Sequence, residues 1–133
     1  MVQFNQIVPM KVLGHQILME LYGCESAILT DSSLLKHAMM VAAAEAGATV
    51  VDTVFHGFNP HGVSGVIVIA ESHITVHTWP EFSYAAVDIF TCGETIDSQK
   101  IVGQLIKVFA ARNHRSLSFD RGIDSNETKD TSP

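Results

Sequence analysis

The chain has 133 residues, 47% of them hydrophobic and 17% charged, with a net charge of −6, which suits one globular domain and excludes a disordered chain. With no Lys/Arg cluster, the acidic balance argues against nucleic acid and anionic membrane, and mildly favours cationic ligands. Cys24 and Cys92 are the only cysteines, too few for a disulfide framework, and no secretory h-region or membrane-length apolar run is evident, so a reducing cytoplasm is the expected compartment.

Met1 to Leu13 has no periodicity and reads as a loose arm. Gln16 to Tyr22 reads as a first strand. Thr30-Asp31-Ser32-Ser33 supplies a cap for a helix over about Ser33 to Ala46, where Leu35, Ala38, Met39, Ala42 and Ala46 share one face. Gly47 is well placed to stop it. Thr49 to Phe55 is β-branched and reads as a strand. His56 to Ser64 holds Gly57, Asn59, Pro60 and Gly62, and reads as a loop. Val66 to Ala70 and Ile74 to Thr78 read as two strands, with Glu71-Ser72-His73 at their junction. Trp79-Pro80-Glu81 turns the chain, and Tyr84 to Thr91 is a further strand broken by Gly93. A second amphipathic helix spans about Asp97 to Arg112, capped by Asp97, with Ile101, Leu105, Val108, Phe109 and Arg112 on its spacing. Arg115 to Phe119 is a last strand, and Ile123 to Pro133 is a polar, frayed end. The order βαββββαβ predicts an α+β fold, a two-layer sandwich of a mainly antiparallel sheet with two helices packed on one face.

The chemistry-bearing residues concentrate between Gly65 and Gly93. Ser72 follows an apolar strand, His77 lies five residues after it and Cys92 twenty after it. Extended chain around Ser72 lets its hydroxyl reach the carbonyl of Glu71, as self-cleavage requires. Taken singly, each residue has a bland reading: a serine satisfying local hydrogen bonds, a structural histidine on a strand, and a small buried thiol. A metal site is poorly supported. His73 and His77 share a strand face but stand about 13 Å apart if fully extended. His56 and His61 flank the Gly/Pro loop without an obvious third ligand. No GxGxxG, P-loop or zinc-spaced cysteine pair occurs. A Ser-His-Asp hydrolase lacks its Gly-x-Ser-x-Gly elbow, and Asp88 as orienting acid has nothing to recommend it.

Several segments together resemble the small prokaryotic S-adenosylmethionine decarboxylases, pyruvoyl enzymes of polyamine synthesis. They are Phe55 to Phe58 (FHGF), Gly62 to Val66 (GVSGV), Glu71 to Glu81 (ESHITVHTWPE), Phe90 to Gly93 (FTCG), and the early GHQILMELYGC. The resemblance covers about residues 14–122. It implies a proenzyme that cleaves itself between Glu71 and Ser72 into chains 1–71 and 72–133, which together make one domain. The Ser72 hydroxyl attacks the Glu71 carbonyl to form an ester. β-Elimination and hydrolysis with loss of ammonia then leave a pyruvoyl group derived from Ser72. The same resemblance makes His77 the acid/base of processing, assisted by Ser64, an assignment that suits an imidazole titrating near neutrality. The pyruvoyl ketone forms a Schiff base with the substrate amine and accepts electrons as CO₂ leaves. Cys92 resembles the family's proton donor in catalysis. Phe58 resembles its adenine-stacking aromatic and Glu81 its ribose acceptor, although the first can be a loop aromatic capping the core and the second a solvated turn residue. A homodimer with active sites at its interface, no metal and a role in spermidine synthesis also follow from the resemblance. A pyruvoyl arginine or ornithine decarboxylase would use the same Ser72, His77 and Cys92 with a different pocket. An unprocessed paralogue serving as an interaction subunit would need none of Ser64, Ser72, His77 and Cys92.

Overall fold

The computed structural model describes residues 11–70, 72–92 and 96–122. Glu71, Gly93 and both chain ends, on which the scissile carbonyl, a strand stop and the frayed termini are expected, lie outside the described residues.

Six strands form one antiparallel sheet in the order β2-β3-β4-β5-β1-β6. They are β1 (Gly14–Tyr22), β2 (Val50–Gly57), β3 (Val63–Ile69), β4 (Ser72–Trp79), β5 (Tyr84–Cys92) and β6 (Asn113–Arg121). Strict alternation assigns each strand residue to a face. Ile17, Ile89, Ile74 and Ile67 are directly cross-strand neighbours on β1, β5, β4 and β3, and all four are buried. They form the floor of the core. Its roof comes from α1 (Ser26–Thr30), α2 (Ser32–Glu45) and α3 (Ser98–Phe109), which contribute Leu29, Leu35, Met39, Ile101, Leu105 and Phe109, all fully buried.

The expected α+β sandwich is therefore what forms, with one addition and some shifted ends. Asp31 caps α2, its carboxylate accepting from the N–H groups of Ser33 and Leu34 at 3.1 Å each. Asp97 caps α3 through Lys100 N–H. Gly47 leaves α2 with φ +90°, a conformation that costs glycine little. The short α1 was not expected, because five residues are too few to display a helical period. It is held by Ile28 and Leu29, which reach the core. The second helix ends at Phe109 rather than Arg112: Ala110 turns left-handed, and Arg112 N–H instead bonds Tyr22 C=O at 2.9 Å. β3 begins at Val63, three residues before the expected start, because β2 runs on past Phe55 to Gly57 and pairs it with Val63, so the expected loop His56 to Ser64 is shorter at both ends; the Thr78 hydroxyl takes the Val63 N–H at 2.8 Å. β6 runs two residues further at each end than its apolar pattern suggested. It is exposed along its whole length, so pairing with β1, not burial, extends it.

The face away from the helices is bare. Val54, Val68, Leu18, Leu117 and Phe119 lie on it and are exposed. So do Ser64, His77, Glu20 and Arg115, in one cross-strand row.

Candidate active site

Six of the seven residues singled out from the sequence fall into two clusters at opposite ends of β4; the seventh, Glu71, lies outside the described residues. Ser72 opens the strand, 8% exposed and turned toward the helices with Ile74, Val76 and Thr78. Its Oγ accepts a hydrogen bond from the backbone N–H of Cys92 at 3.1 Å. Antiparallel pairing of β4 with β5 causes this, since it brings the start of one strand beside the end of the other. Cys92 is a free, half-buried cysteine. Cys24, the other thiol, belongs to the core, where burial pushes its pKa up to about 11.

The second cluster sits at the far end. His77 Nδ1 and Ser64 Oγ are 2.8 Å apart, because β3 and β4 pair Ser64 directly opposite His77. If Nδ1 carries the proton, it donates to Ser64 and leaves Nε2 with a free lone pair, the tautomer a base requires. Both residues line a cavity of about 260 Å³ together with Phe58, His61, Trp79 and Glu81. Phe58 is half exposed and rests edge-on against His56, ring centroids 4.5 Å apart. Glu81 lies in the 3-10 turn Pro80–Phe82, which ends at a left-handed Ser83. The turn is anchored from below by Thr78, whose hydroxyl donates to Leu29 C=O at 2.8 Å while accepting from Val63 N–H.

Ser64, His77, Phe58 and Glu81 are thus brought together, and the Ser72 hydroxyl meets the backbone N–H of Cys92, whose side chain alternates with the buried Thr91 and so lies on the bare face; the two groups are not brought to each other. Two cavity residues were missed as site candidates. Trp79, a turn residue by sequence, packs its ring against Tyr84 at 5.3 Å and against His77 at 6.3 Å. His61, by sequence a candidate only for metal ligation, has its Nε2 3.4 Å from Glu81 Oε1. The signal that could have found both was their position beside Phe58 and Glu81. Among the described residues, no three His, Cys, Asp or Glu side chains stand close enough to hold a metal ion, and no helix is long and apolar enough to cross a membrane.

A buried serine at a strand junction and a histidine–serine pair in an open cavity, carried on a helix-backed antiparallel sheet, define an α+β enzyme. The sequence model of the family described as S-adenosylmethionine decarboxylase matches residues 15–122. An S-adenosylmethionine decarboxylase proenzyme of Acetivibrio thermocellus is 47% identical over 114 residues, 86% of this chain and 92% of the relative. One from Pseudomonas aeruginosa is 43% identical over 122 residues, 92% of this chain and 76% of the relative. The crystal structure of the adenosylmethionine decarboxylase from Aquifex aeolicus superposes with a TM-score of 0.79 at 31% identity, over 85% of this chain and 93% of that one. The chain belongs to the S-adenosylmethionine decarboxylase family.

Proposed function

We propose that the chain is a proenzyme that cleaves itself between Glu71 and Ser72, and then decarboxylates S-adenosylmethionine to the aminopropyl donor used for spermidine. The observation that carries this reading is the division of the site within one protomer. Ser72 and His77 are five residues apart on one extended strand, hence about 17 Å apart. No rotamer closes that distance. The His77 that serves a given Ser72 therefore belongs to a second copy. The bare sheet face suits that copy, because Leu18, Val54, Val68, Leu117 and Phe119 expose apolar surface there that an isologous dimer would bury. Two-fold pairing brings the His77 end of each protomer to the Ser72 end of the other and builds two composite sites.

Each residue then has a task. Ser72 Oγ attacks the Glu71 carbonyl, and the Cys92 N–H donates a hydrogen bond to the attacking oxygen. His77 takes the Ser72 α-proton through Nε2, with Ser64 on Nδ1 fixing the ring. The pyruvoyl group made from Ser72 supplies the carbonyl that takes up electrons as CO₂ departs. Cys92 returns a proton to the substrate α-carbon. Phe58 offers a face to adenine, a contact worth about 1–3 kcal/mol for bases on aromatic side chains, and Glu81 accepts from the ribose hydroxyls. Free arginine or ornithine would use neither contact, which favours the nucleoside substrate over the basic amino acids.

Freshly purified protein should run as two fragments under denaturing conditions, with masses of 1–71 and 72–133 and a blocked N-terminus on the second. Ser72→Ala should remain one chain. A wild-type chain that stays intact through prolonged incubation would overturn the self-cleavage. Faster CO₂ release from carboxyl-labelled arginine or ornithine than from S-adenosylmethionine would overturn the substrate.

A further inference from the structure

His61 is the one ionisable side chain in the Phe58 cavity that processing and decarboxylation leave without a role. Its Nε2 stands 3.4 Å from Glu81 Oε1, each side chain about two-fifths exposed. A carboxylate can only accept, so an imidazole with its proton on Nε2 can donate toward Glu81. The two residues come from different parts of the chain. His61 sits in the connection between β2 and β3, and Glu81 in the turn between β4 and β5. The connection is closed on itself: Phe58 N–H donates to Gly62 C=O at 2.8 Å. Gly62 holds φ +102°, and a side chain there would press on the Thr78 carbonyl at 3.2 Å. His61 is therefore set one residue from a rigid corner, on the same short closed segment as Phe58. Its contact with Glu81 is the only ion pair among the described residues between that segment and the turn.

We propose that His61 is a positioning residue for substrate: it ties the segment bearing Phe58 to the turn bearing Glu81, so that the aromatic face and the carboxylate are presented at one fixed spacing. The spacing matters because one glycosidic bond holds adenine and ribose at a narrow range of separations, and a ligand with two fixed contacts loses affinity when either protein group wanders. His61 engages Oε1 alone, so Oε2 keeps its acceptor capacity for a ribose hydroxyl. An ion pair at 3.4 Å between exposed groups is loose, and sites of this kind tighten when the ligand excludes water. The role concerns binding and not bond-making, so it appears in KM and not in kcat. It rests on the proposed reading of Phe58 and Glu81 as nucleoside contacts.

The test is steady-state CO₂ release from S-adenosylmethionine by the full-length, processed enzyme carrying His61→Ala, His61→Gln, Glu81→Ala, or His61→Ala with Glu81→Ala. His61→Ala should raise KM about two- to fivefold, the range of one exposed charged contact, with kcat within about twofold. His61→Gln, whose amide can reach the Nε2 position, should recover most of that loss, which a merely structural role would not predict. Glu81→Ala should raise KM further, and adding His61→Ala to it should change little, because His61 acts through the carboxylate. If Glu81→Ala raises KM and His61→Ala does not, or if the two effects add in full, the positioning role is wrong while the ribose contact stands. If Glu81→Ala leaves KM unchanged, the reading of the pocket fails first and the role of His61 falls with it.

Discussion

Two inactive variants should restore each other. His77→Ala keeps the Ser72–Cys92 end of the protomer and loses the base, whereas Ser72→Ala keeps the Ser64–His77 cavity and loses the cleavable serine. The residues lie about 17 Å apart along β4, so neither variant can complete a site by itself. In a dimer of His77→Ala with Ser72→Ala, one composite site has both intact ends and the other has neither. With equal co-expression and random pairing, a site draws its Ser72 end from the competent chain half the time, and its His77 end likewise. About one quarter of all sites should then be whole. The same arithmetic applies to maturation: half of the His77→Ala chains should be cut and none of the Ser72→Ala chains. The assay is co-expression with two different affinity tags, tandem purification of the mixed dimer, denaturing electrophoresis, and CO₂ release per protomer. Each variant expressed alone should be uncut and inactive. If purified mixed dimers show neither cleavage nor decarboxylation, the site is not shared between copies, and the division along β4 has another meaning.

Two further predictions concern stability. A Cβ on Gly65 would lie 2.3 Å from the Phe55 ring, its direct cross-strand neighbour, so Gly65→Ala should cost about 1–3 kcal/mol of unfolding free energy as overpacking. In the same urea titrations, adding Phe55→Ala should cost less in the Gly65→Ala background than in wild type; equal costs would show that the ring is not the obstacle. Burial raises the Cys24 thiol from 9.0 to about 11, so the folded state favours its protonated form over that range. That stabilisation is complete below pH 9 and is lost as pH rises from about 9 to about 11, by roughly 2–3 kcal/mol in all. Cys24→Ala should flatten this decline in denaturation midpoints. Loss that persists above pH 10 belongs to Tyr84, raised from 10.0 to about 12 by burial first and by its bond to Glu20 second. An unchanged slope between pH 9 and 10 in Cys24→Ala would refute the assignment to the thiol.

The elements themselves were legible in the sequence because their causes are local. Alternating apolar residues, the Asp31 and Asp97 caps and the Gly47 stop each act within a few residues, and they led to an α+β sheet backed by helices. The short α1 and the ends of β3 and β6 were not legible, since tertiary partners set them: the core beneath Ile28 and Leu29, the Thr78 hydroxyl on Val63 N–H, and β1 alongside β6. The candidate chemistry was legible in the same uneven way. Residue types close in sequence, from Glu71 to Cys92, identified the reaction through family resemblance, yet their closeness was misleading about space. An extended strand moves the chain about 3.3 Å per residue and reverses face at each step. Five residues were therefore enough to put His77 beyond reach of Ser72, while antiparallel pairing brought Cys92, twenty residues away, within one hydrogen bond of it. Register, which depends on the whole sheet, decided that Ser64 meets His77 and that His61 meets Glu81. Sequence alone determined which groups are present; the sheet determined which of them can act on one another.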